Sequence, residues 1–128
     1  MTYYFSRRVE RPFDEVVARV RRNLQTAGFG VITEIDVAAT LKSKLGVDFR
    51  PYLILRACNP SMAHQALQVE DKVGTMLPCN VVVQASPEGG VEVAAIDPIA
   101  SMQAIDNPAL AGVAKVVAEK LRGVVEEV

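Results

Sequence analysis

The segments RACNPSMAH (56–64) and MLPCNVVV (76–83) hold both cysteines and the only histidine of the chain, and each cysteine directly precedes an asparagine. A thiolate serves as nucleophile, metal ligand or redox centre, so the pair is a candidate reactive or metal-binding site split across two segments. Cys58 is the more informative thiol. Asn59-Pro60 mirrors Asn107-Pro108 further along, which marks Asn59 as a helix N-cap and Cys58 as the residue before it. A sulfur in that position faces the unpaired N–H groups of a first helical turn, which favour the thiolate. Strand alternation groups Cys58 with Tyr52, Ile54 and Arg56, so Arg56 would add a positive charge nearby. The plainer reading is a small apolar residue stapled onto Ala63, the fourth residue of the helix, because free cysteine is among the most buried residue types. Cys79 alternates with Val81, Val83 and Ala85 and reads as part of a core face.

Whether the two sulfurs meet depends on the connector KVGTMLP (72–78). A compact connector sets the following strand parallel to the preceding one and leaves Cys79 at the far end of the sheet. An extended one spans about 23 Å, makes the strands antiparallel and returns Cys79 to the side of Cys58. His64 shares a helix face with Ser61, Gln65 and Gln68 and points to water, and Cys-x5-His with one distant Cys matches no standard zinc spacing. Any metal would therefore rest on Cys58 and Cys79. Glu34 and Asp36 share a strand face and are conceivable paired carboxylates, although Asp36 reads better as a helix cap and Glu34 as surface. The chain contains no G-x-G-x-x-G, Walker loop or H-E-x-x-H.

The elements that must position these residues follow from period and punctuation. TYYFSRRV (2–9) reads as a strand. Pro12 opens a helix whose apolar residues Phe13, Val16, Val17, Val20, Leu24 and Ala27 form one stripe ended by Gly28. GVITEID (30–36) is a strand, and Asp36 caps a short helix closed by Gly46. RPYLILRA (50–57) is a strand covered on both sides, followed by a helix from Pro60 to about Asp71. CNVVVQAS and VEVAAID form a hairpin around PEGG. Asp97-Pro98 opens a short turn of helix and Asn107-Pro108 a long helix. Strand–Pro–helix–Gly–strand occurs at both 2–36 and 50–84, which suggests two similar halves. The order β-α-β-α-β-α-β-β-α predicts an α+β (mixed α/β) fold, with one mixed sheet of about five strands and helices packed on it. Val116 and Val125 widen the apolar stripe of the last helix, and a chain-end helix of this kind predicts a homodimer.

Composition narrows the function classes. The 128 residues suit one domain, 1–128, and 50% are hydrophobic, enough for a core without staples. A net charge of −1 supplies no field for nucleic acid or an anionic membrane. Six Arg among the first 22 residues are offset by Glu10, Asp14 and Glu15 and fit a solvated helix face. There is no Trp to build a base-stacking platform. No apolar run reaches membrane-spanning length and the first residues do not resemble a signal peptide, so a cytoplasmic protein with free thiols is expected.

The stretches GFGVITEIDVAATLKSKLGVDFRPYLILRACNP, MLPCNVVV and AIDP resemble the bacterial and archaeal family known as domain of unknown function 302. Its ACNP and LPC pieces correspond to Ala57–Pro60 and Leu77–Cys79, and its TEID piece to Thr33–Asp36. The resemblance covers nearly the whole chain. It implies a compact, dimeric α/β domain and assigns no reaction, substrate or cofactor. The residues themselves favour a non-enzymatic domain that binds a small ligand or partner near Cys58, Asn59, Cys79 and Arg56. The rival is a thiol-dependent redox sensor or a metal- or haem-binding protein using Cys58 and Cys79. Glu34, Asp36 and His64 are secondary candidates, and a hydrolase built on the two carboxylates ranks below both readings.

Overall fold

Residues 2–77 and 79–128 are described by a computed structural model. The stripe after Pro12 becomes α1, Phe13–Thr26, with Val16, Val20 and Leu24 fully shielded from solvent. Four further helices, the one after Asn59 among them, start where an Asx residue precedes a helix. The Asp36 carboxylate accepts from Ala39 N–H at 2.9 Å and starts α2, Val37–Leu45. Asp97 and Asn107 do the same for α4, Pro98–Ser101, and α5, Pro108–Glu126. Gly46, in the left-handed region at φ 67°, ends α2. α3 covers Pro60–Val69 and is followed by a 3₁₀ turn at Asp71–Met76.

The strands are β1 (Tyr4–Val9), β2 (Gly30–Asp36), β3 (Tyr52–Cys58), β4 (Cys79–Ala85) and β5 (Val91–Ile96). They form one sheet in the order β1-β5-β4-β3-β2. Every neighbouring pair is antiparallel, so the sheet is not mixed as the element order suggests. Two features account for this. β1 and β2 run in the same direction, but they lie at opposite edges and never pair. β4 comes back antiparallel alongside β3 after α3, although the connector is a compact 3₁₀ turn and not the extended stretch expected for such a return. The two strand–helix–strand stretches therefore differ in three dimensions, and their sequence likeness is not a structural repeat.

Alternate strand residues meet the helices. Leu55 and Ala57, Val81 and Val83, and Val93 and Ala95 pack against Val16, Val20 and Leu24 of α1 and against Val117, Leu121 and Val124 of α5. The opposite face stays largely open. Tyr52, Ile54, Val82, Gln84 and Ala94 are half-buried there, and a groove runs past Tyr3, Tyr4 and Tyr52. This is a two-layer α+β arrangement. The broad apolar side of α5 is used within the chain: Val125 is 2% exposed, while Val116, at 42%, remains outside. The width of that helix consequently does not call for a second copy. Among the described residues no helix is long and apolar enough to cross a membrane.

Candidate functional site

Cys58 is the last residue of β3, and Asn59 turns the chain into α3 by accepting from Met62 N–H at 3.2 Å. The register Ala57↔Cys79 puts the start of β4 beside the end of β3, so the two cysteines are diagonal neighbours. Both are free thiols, Cys58 half-buried and Cys79 buried. Strand alternation would send Cys58 to the open face with Arg56. Instead Cys58 lines the same cavity as Cys79, because the chain is already turning at the cap.

That cavity has a volume of about 30 Å³ and lies where the ends of β3 and β4 meet α3, α4 and α5. It occupies the seam between the main core and a smaller cluster built on Ala66, Val73 and Leu110. Phe29 closes one side. Its position follows from the end of α1, where Phe29 N–H donates to Leu24 O at 2.8 Å and Gly28 N–H to Gln25 O at 3.1 Å. This reciprocal pair is a Schellman ending, and Gly28 supplies the positive φ, 90°, that it needs. Ala63 also lines the cavity, in keeping with the staple geometry across the cap. Burial pushes the Cys79 thiol up to about 11, with the neighbouring Cys58 adding to the rise. The apolar wall thus favours a neutral thiol at Cys79.

The other candidates lie elsewhere. Arg56 projects from the face opposite Leu55 and Ala57 and does not line the cavity. His64 is exposed on α3. Glu34 is held by an ion pair with Arg21, and Asp36 is engaged as the α2 cap. Those two carboxylates do share a shallow groove beside α2, but each already has a partner. The Leu77-Pro78 bond falls outside the described residues. Met62 and Met102 line the cavity and escape a reading of the sequence. Met62 stands three residues past Asn59, a local signal for the same mouth, whereas nothing in the sequence links Met102 to it.

A family model described as domain of unknown function DUF302 matches residues 5–128. The chain belongs to the DUF302 family. It is also similar to an uncharacterized conserved DUF302 protein from Bacillus stearothermophilus known from a crystal structure. The two are 28% identical, with a TM-score of 0.92 over 99% of this chain and 98% of the other. No functionally curated protein matches. Membership in DUF302 and the shared fold are therefore established, and the chemistry has to be argued from the cavity.

Proposed function

We propose that this DUF302 domain is a non-enzymatic binding module of the reducing cytoplasm, with a small ligand held between Cys58, Asn59 and Cys79. The observation that carries the reading is the convergence of both thiols and a capped helix start on one apolar cavity. Binding is favoured over catalysis because the titratable candidates outside the thiol pair are exposed or already paired. At about 30 Å³ the cavity admits an ion or a ligand of few atoms. Drug-sized ligands need about 300–1,000 Å³, so the volume favours an ion or a few atoms over a group as large as haem. The test is native mass spectrometry of protein purified without chelators, alongside Ala63→Val, which fills the cavity from its α3 wall. Wild type should carry a bound mass that Ala63→Val lacks while both melt at similar temperatures. A bare wild-type chain, or an Ala63→Val protein that keeps its ligand, would count against the site.

The diagonal placement of the thiols favours a second reading, a reversible Cys58–Cys79 disulfide acting as a redox sensor. Equilibration in glutathione buffers separates the two, since a sensor loses two hydrogens within the cytoplasmic range of potentials and a binding module does not. Pairing of two copies remains part of the reading, but the surface shifts from α5 to the open sheet face, where Tyr4 is 40% and Ile35 37% exposed. Light scattering at micromolar concentration on wild type and Tyr4→Asp tests this, with a dimer expected for the first and a monomer for the second.

A further inference from the structure

Resting on the reading of the cavity as a binding site, we infer that its ligand is copper(I), held by four sulfurs: the thiolates of Cys58 and Cys79 and the thioethers of Met62 and Met102. Both cysteines and two of the chain's four methionines line this one cavity. The four residues come from the end of β3, the start of β4, the first turn of α3 and the cap that ends α4. Met62 packs against the main core and Met102 against the smaller cluster, so the thioethers approach from different walls.

The donor set selects the metal. Thiolate and thioether sulfurs are soft donors and favour Cu(I), whereas zinc sites draw on Cys, His and carboxylates. Among the described residues no group of three or more His, Cys, Asp and Glu lies together, so a zinc site lacks its donors. The cavity volume suits a single bare ion between the sulfurs that line it better than a hard cation that keeps its waters.

On binding, Cu⁺ replaces the proton on each thiol. Two Cu–S bonds form, to Cys58 Sγ and Cys79 Sγ, and two protons leave to solvent. No electron is exchanged, because the metal arrives and stays as Cu(I). One positive ion against two thiolates leaves a single negative charge at the start of α3, where the helix dipole favours an anion. The thioethers add donors without adding charge. Met102 and Ala114 also line a wider groove of about 460 Å³ between α4 and α5, so the Met102 sulfur stands where the cavity adjoins that groove.

The test is an anaerobic titration of the full chain with Cu(I) against a chromophoric Cu(I) chelator, with Zn(II) run in parallel. One Cu(I) per chain should be retained under conditions that strip Zn(II). Cys58→Ser and Cys79→Ser should abolish retention. Met62→Leu and Met102→Leu should each weaken it by about tenfold or more, since losing a donor costs at least what losing an outer-shell partner does. Unchanged affinity in the double Met→Leu variant would overturn the four-sulfur site and leave a two-thiol binding site intact. Zn(II) held as tightly as Cu(I) would overturn the selection for a soft ion. A folded wild type that takes no copper, yet keeps a different mass in native spectrometry, would overturn the copper assignment alone. Copper X-ray absorption on wild type covers variants that fail to fold: three or four sulfur neighbours support the site, and two without a thioether shell refute it.

Discussion

Cys58 and Cys79 line one cavity but differ in what surrounds them, and two experiments read that difference. Cys58 is half-buried at the mouth and Cys79 is 8% exposed, so iodoacetamide should alkylate Cys58 first. Peptide mapping should show Cys79 modified only as the protein unfolds, and equal rates would remove the distinction. Cys79 also titrates differently in the two states. Its folded pKa is raised from 9.0 to about 11, so between those values the folded chain holds a proton that the unfolded chain has lost. The stabilisation is full below pH 9 and disappears as pH rises through 11, for a total of roughly 2–3 kcal/mol at 1.36 kcal/mol per unit. Denaturant melts from pH 8 to 11.5 should show this extra loss in wild type relative to Cys79→Ala. Parallel curves would mean that the wall around Cys79 is wetter than the geometry implies. At this scale the sequence is informative where a signal is local: Asn-Pro identifies the cap and so places Cys58 and Asn59. It is uninformative for Arg56, because strand alternation groups that side chain with Cys58 and the chain turns away just at Cys58.

Among the elements, the junction of α1 with α3 matters most for the cavity. The Asn59 side chain caps α3, and its Nδ2 lies 3.2 Å from where a Cβ on Gly28 would stand. Asn59→Ala should cost about 1 kcal/mol, the usual value of an N-cap. Gly28→Ala should cost more than about 1 kcal/mol, because it forces a side chain into φ 90° as well as crowding Asn59. With a shared contact the double variant should be less destabilised than the sum, and strict additivity in chemical denaturation would argue that the two sites are independent. Most elements were readable in advance because their ends are punctuated: Pro12, Asp36 with Gly46, Asn59-Pro60, PEGG and Asn107-Pro108. The direction of β4 was not, since it depends on how the 3₁₀ turn packs against α3, a tertiary event invisible to local pattern. The same unreadable step decides whether the thiols are neighbours.

For the molecule as a whole, stability is uneven. Among the described residues the main core holds eighteen that are buried and the cluster around α3 and the start of α5 only three. Amides of α3 and the 3₁₀ turn should therefore exchange with deuterium ahead of those in β3, β4 and β5, and uniform protection would exclude a cavity that opens on its own. Leu55, fully shielded on β3, anchors the larger unit, and Leu55→Ala should cost about 2–5 kcal/mol in denaturant melts. The sheet also has two flanks, β1 and β2, whose outer edges pair with no further strand among the described residues. Such margins invite foreign strands. β2 breaks its register between Val31 and Thr33 and carries Glu34 and Asp36 just beyond, while β1 presents Arg7 and Arg8. The kink in β2 and the charges on both strands make each flank a poor template for fibril growth, which leaves the open face, and not the margins, as the surface through which copies would meet.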